Sequence, residues 1–219
     1  MSRSRVLLLV SVAMVAFAAN SILCRMALKE SGIDAASFTL IRLASGALML
    51  WVIVALRGDS PRRHGNWISA VALFAYAAAF SYAYLTLPAA AGALLLFGAV
   101  QATMIGYGMW HGERFNRAQA IGLGLALAGF VGLMLPGLSA PPLDGSLLMI
   151  GAGVAWGIYS LRGRGGRNPT ASTGGNFLRA APLAMVLALV MLAHSNVDAA
   201  GTPGYCSTGA PDHPPDAAR

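Results

Sequence analysis

Seven long apolar stretches, none containing an acidic residue, run through this 219-residue chain and decide what it can fold into. A bilayer core takes about 20 helical residues, with a range of roughly 17–25. Segments near 6–26, 36–56, 66–87, 89–110, 118–136, 145–161 and 177–194 meet or approach that length. In hydrocarbon every backbone polar group needs an internal partner, so such spans are helices. Composition agrees, at 57% hydrophobic and 11% charged, against roughly 45–50% apolar and 25% charged in an ordinary soluble domain. Breakers fall between the stretches: Gly58-Asp59-Ser60-Pro61, Pro88, Pro136-Gly137, Pro141-Pro142 and Asn168-Pro169. The expected fold is all-α, a polytopic transmembrane bundle in contact with membrane lipid.

The net charge of +7 comes without a basic stripe interleaved with aromatics, so nucleic acid is not an expected partner. Topology explains the basic excess better, because Lys and Arg collect on the cytoplasmic side. With the N-terminus inside, the inner side holds Arg3, Arg5, Arg57, Arg62, Arg63, Arg114, Arg117, Arg162, Arg164 and Arg167. The outer loops hold Arg25 and Lys29, and the tail adds Arg219. This predicts a multi-pass protein of the cell inner membrane with a cytoplasmic N-terminus. Arg3 and Arg5 before an apolar run and Ala16-Phe17-Ala18 resemble a signal peptide. The run continues past that point, however, and a counterpart recurs far downstream.

The counterpart is an internal repeat. Residues 13–25 (AMVAFAANSILCR) align with residues 152–164 (AGVAWGIYSLRGR), offset by 139, with Ala, Val, Ala, Ser and Arg shared, Phe17 on Trp156 and Ile22 on Leu161. Leu40-Ile41-Arg42-Leu43-Ala44 aligns with Phe177-Leu178-Arg179-Ala180-Ala181, offset by 137. Five spans separate the two copies, an odd number, so the second enters the membrane from the opposite side. Inverted repeats of this kind are common in secondary transporters, whose sites lie near the midplane between the halves.

Gly112-Glu113-Arg114-Phe115, then Gln119, Gly122, Leu127-Ala128-Gly129 and Val131, resemble the fourth-to-fifth helix junction of the EamA-type family of the drug/metabolite transporter superfamily. Asn20-Ser21-Ile22-Leu23-Cys24-Arg25 and Ile41-Arg42 are similar to its first two helices. The resemblance implies ten helices in two inverted five-helix repeats, with both ends cytoplasmic. It also implies export or exchange of amino acids, nucleotide-related metabolites or toxic compounds by alternating access. On that frame, residues 1–136 are the first repeat and 144–194 a partial second one, with 195–219 a non-membrane tail rich in Gly and Pro. The expectation is a chain truncated or frameshifted after its seventh helix, with one cavity wall missing unless a second chain, as in a homo-oligomer, supplies it. The alternative is a truncated, non-transporting membrane protein or an assembly partner of another one.

Candidate site residues follow from polarity at depth. Arg42 and Arg179 occupy matching places in the two repeats. An ionisable side chain within a span is costly and is by default a functional candidate. Either the pair attracts an anionic group of a solute, or each arginine snorkels to the headgroups. Asn20 and Gln101 are amides in apolar helices, and each must face a neighbouring helix or a wet cavity. Tyr76, Phe80 and Tyr84 recur every four residues on one face, and Trp156 and Tyr159 are three apart. These aromatics suit a cavity for planar or amphipathic solutes, or lipid packing. Rows of small residues, Gly98-Ala102-Gly106, Gly124-Ala128-Gly132 and Gly153-Gly157, are packing signals.

No Asp or Glu lies within a span, which argues against the proton relay of small multidrug-type antiporters. Two cysteines, Cys24 and Cys206, are too few for a disulfide framework. No phosphate-binding loop, zinc motif or serine–base constellation is visible, so no cofactor, metal or catalysis is expected. His64 and His111 sit at loop edges near arginines and read as solvated. Cysteine labelling at positions 25 and 164 should place these two sites on opposite faces of the membrane; labelling from one face would remove the inverted repeat.

Overall fold

The computed structural model describes residues 3–30, 32–114, 116–134, 142–166 and 168–201. Among them are seven α-helices and no strand: α1 (Arg3–Glu30), α2 (Ala35–Leu56), α3 (Trp67–Thr86), α4 (Ala89–Trp110), α5 (Arg117–Met134), α6 (Leu143–Arg162) and α7 (Pro169–Gly201). A short 3-10 turn, Pro61–Arg63, precedes α3. The molecule is thus the helical membrane bundle expected from the sequence. Five helices, α1 to α4 and α7, are long and apolar enough to cross a membrane. At 18 residues, α5 is near the short end of span length. The 20-residue α6 carries Asp144, Arg162 and four glycines.

Side-chain caps fix several helix starts. Asp34 accepts from the Ser37 amide at 2.8 Å and opens α2. Asn66 accepts from the Ser69 amide at 2.8 Å and opens α3. Such caps satisfy amides that have no partner within the helix. The turn after α4 uses Gly112 at φ 82, and the Glu113 amide returns to the Gly108 carbonyl at 3.0 Å. The Gly112-Glu113 motif is therefore a helix stop.

The seventh helix differs from the expected 177–194. Asn168-Pro169, read as a breaker, starts it: Asn168 accepts from the Ala171 amide at 3.3 Å, and Pro169 takes the first helical position. Residues 169–176 are polar but small, and Ala171, Gly174, Gly175 and Asn176 are buried against protein rather than lipid. A hydropathy scan cannot see that. At its other end the backbone runs to Gly201, past the expected start of the tail, while 202–219 lie outside the described residues.

Contacts at the two ends of α3 give the directions of α1 and α6. Arg25, near the end of α1, donates to the carbonyls of Tyr84 and Leu87 at the end of α3, so the two helices run parallel. Arg162, at the end of α6, donates to Ser69 and Asn66 at the start of α3, so α6 runs antiparallel to it. The two repeat-matched helices, α1 and α6, therefore point in opposite directions. α6 lies between α3 and α4, and α7 packs on α2 and α3. Tyr84, Phe80, Leu43, Leu73, Leu87 and Met149 are the largest fully buried apolar side chains of this core.

Small residues permit the close approach of α6. A Cβ on Gly153 would lie 2.6 Å from the Leu96 carbonyl oxygen, and one on Gly157 2.8 Å from Thr103. Gly106, Gly124 and Gly132 face open space instead, so the other two small-residue rows are not packed among the described residues. Gly153→Val should destabilise the bundle by about 1–3 kcal/mol, the usual cost of overpacking. Gly151→Val, which faces open space on the same helix, should leave the melting temperature in detergent unchanged.

Candidate functional site

A cavity of about 540 Å³ opens among α1, α2, α3, α6 and α7. That volume falls within the range of small-molecule sites, roughly 300–1,000 Å³. Tyr76, on its wall, is midway along α3, which places the cavity at half depth. Phe17 and Asn20 come to it from one face of α1, Arg42 from α2, Trp156 from α6 and Phe177 from α7. A recess large enough for about one water adjoins it beside Asn20, Ser21 and Tyr76.

Rings form a connected wall. Phe17 meets Phe97 edge-on at 5.8 Å and Trp156 at 6.3 Å. Trp156 continues to Tyr76 at 4.7 Å, Tyr76 to Phe80 at 5.4 Å, and Phe80 to Tyr84 at 4.8 Å. Aromatic pairs at these separations add about 0.5–1.5 kcal/mol beyond their buried area. Phe17 and Trp156, which align in the sequence, thus touch each other.

Arg42 sits at the edge of this wall. Its guanidinium carbon lies 4.9 Å from the Phe80 ring centre, 5.7 Å from Phe38 and 5.9 Å from Tyr76. Ring faces attract a cation by about 0.5–2 kcal/mol each, depending on desolvation. They accept no in-plane hydrogen bond, and the buried Nη1 of Arg42 has no hydrogen-bond partner. The group is held within the bundle rather than snorkelling outward.

Arg179 has the opposite environment. Its Nη1 donates to the carbonyls of His64 at 2.6 Å and Gly175 at 2.9 Å, and its Nη2 to that of Arg62 at 3.2 Å. The structure therefore brings Asn20, Arg42, Tyr76 and Trp156 to the cavity, with Phe80 beneath the Arg42 guanidinium. Tyr84 is packed in the core, Tyr159 lies against Trp156 at 5.4 Å, and Gln101 is exposed on α4. None of these three lines the cavity, and neither does Arg179. Sequence reasoning missed Phe17, Phe38 and Phe177. Two signals were available: Phe38 is one turn before Arg42, and Phe17 is the repeat partner of Trp156.

A polar latch closes the end of the bundle that carries most arginines. Asn176 Oδ1 accepts from the Asn66 amide at 2.9 Å, and Asn168 Nδ2 donates to Asp59 at 3.0 Å. His64 Nε2 stands 2.9 Å from the same carboxylate. Gly175 lets this loop approach, since a Cβ there would fall onto the His64 carbonyl. The Ser60 amide, then His64 and Asn168, hold the Asp59 carboxyl below its usual pKa.

A family profile described as the EamA-like transporter family matches residues 4–135. An uncharacterized protein of Pseudomonas aeruginosa is 55% identical over 199 residues, covering 90% of this chain and 69% of that protein. No solved structure matches.

The depressed Asp59 pKa has a sign. A carboxyl whose folded value is lowered stabilises the fold above its unfolded value, about 3.9, and that contribution fades as pH falls through the folded value. The melting-temperature difference between wild type and Asp59→Ala should therefore be full above about pH 4 and shrink on further acidification.

Proposed function

We propose that this chain, which belongs to the EamA-like transporter family, carries small organic solutes across the cell inner membrane by alternating access, with the cavity as its solute site. The observation that carries this reading is the half-depth cavity walled by both repeat-matched segments, in which one guanidinium nitrogen, Nη1 of Arg42, lacks a hydrogen-bond partner. Carriers built from inverted repeats place their sites there, and rocking one half against the other exposes the site to each side in turn.

Roles follow from chemistry. Arg42 and Asn20 hold polar groups of the solute, while Tyr76 and Trp156 flank its apolar body. Phe80 supports Arg42 from below. Arg179, with its donors engaged by loop carbonyls, works in the latch and not on the solute. The N-terminus lies in the cytoplasm, because the latch end carries Arg57, Arg62, Arg63, Arg162 and Arg164 and positive loops stay inside. The latch then closes the cytoplasmic mouth of the cavity, and it must part for the inward-facing state.

Counterflow of radiolabelled organic solutes in proteoliposomes tests the reading. Wild type should exchange at least one of them. Ala16→Trp, at an exposed wall position, should fill the cavity and cut that exchange about tenfold or more while the protein stays folded. A folded sample that moves nothing would favour a non-transporting membrane protein or assembly partner. Undiminished exchange by Ala16→Trp would place the solute path elsewhere.

A further inference from the structure

We propose that the cavity selects organic monoanions, a carboxylate on an aromatic or other flat apolar body, over zwitterionic amino acids. The inference rests on the solute-site reading and names its substrate class. Three observations carry it. Among the described residues that line the cavity, Arg42 is the one charged side chain and there is no Asp or Glu. Asp34, the acid nearest to Arg42 in sequence among the described residues, caps α2 about two turns away, where it accepts from the Ser37 amide. The buried Nη1 of Arg42 makes no hydrogen bond.

An anion supplies what is missing there. A carboxylate accepts two parallel hydrogen bonds from a guanidinium, and a charge-assisted bond is about twice as strong as a neutral one. The same site penalises an ammonium group. An α-amino acid would bring a positive charge close to Arg42 into a pocket with no carboxylate to receive it, and like charges in a low dielectric repel. The remaining polar wall groups, Asn20, Ser45 and the Tyr76 hydroxyl, can accept from a neutral donor but cannot neutralise a cation. The rest of the wall sets the body. Phe17, Tyr76, Trp156 and Phe177 present rings around a volume of about 540 Å³, which suits a planar apolar group better than a sugar or polyol.

Four probes with one body and different charge isolate the claim: 3-phenylpropionate, 3-phenylpropionamide, phenylalanine and 2-phenylethylamine. Binding is read from tryptophan fluorescence of the protein in nanodiscs, and exchange from counterflow in proteoliposomes. The anion should bind about tenfold or more tightly than the amide or phenylalanine, the scale of one charge-assisted hydrogen bond. The amine should bind weakest. Arg42→Gln should bring the anion down to the level of the amide and leave the amide unchanged, and Arg42→Lys should keep part of the preference. Phenylalanine binding as well as the anion, or a preference that survives Arg42→Gln, would overturn the proposal. If Arg42→Gln does not fold, the wild-type ranking decides by itself. Charge-selective binding without exchange would refute the carrier reading and leave this one standing; exchange with no charge preference would do the reverse.

Discussion

Three arginines inside or beside the bundle show the constraint on which this structure depends: a polar group out of water must find its partner within the protein. Arg25 donates to the carbonyls of Tyr84 and Leu87, which close the last turn of α3 and have no acceptor role within the helix. Arg179 donates to three carbonyls, two of them in the loop before α3. Arg42 alone of the three ends among ring faces, with Nη1 unpaired. The first two side chains hold helices in place. The third leaves one donor, Nη1, unused, and on the proposed reading that donor serves the solute.

That division depends in turn on how closely the helices approach. Apolar side chains gain little by leaving lipid for one another, so small residues and polar contacts do the joining. Gly153 and Gly157 bring α6 against α4, and α6 then delivers Trp156 to the cavity at one level and Arg162 to the start of α3 at another. Gly175 does the same for the latch, bringing α7 against the His64 carbonyl and leaving Phe177, two residues on, at the wall. Tying α7 to the loop before α3 and building the side of the cavity are thus consequences of the same few glycines.

Much of this was legible in the sequence, for identifiable reasons. Helix count and type came from apolar length, because lipid forces backbone bonding within each span. The opposite directions of α1 and α6 came from the repeat and an odd span count, and the contacts of Arg25 and Arg162 at opposite ends of α3 agree. The start of α7 was hidden because Ala171, Gly174 and Asn176 are buried by protein, so their helix needs no hydrophobicity. The pairing of Arg42 with Arg179 misled for a related cause. Sequence symmetry fixes position along a helix but not what faces it, and the loop carrying Arg62 and His64 reaches only one of the two. Gln101 shows the same limit, since depth in a span does not say which side of the helix meets the cavity.

An unpaired guanidinium at depth would ordinarily move, either outward to the headgroups or onto a carbonyl. Arg42 is seven residues into α2, about 10 Å along its axis, so a flexible side chain could attempt either escape. The ring of Phe38, one turn nearer the helix end, stands on the outward route, and Phe80 and Tyr76 flank it from α3. Phe80 and Tyr76 are themselves fixed, buried in the aromatic series that runs from Phe97 to Tyr84. The cage therefore does two things at once. It offsets part of the desolvation of the charge, and it removes the conformational freedom by which the side chain could satisfy itself. On the proposed reading, an acceptor for Nη1 then reaches Arg42 through the cavity rather than by movement of the side chain.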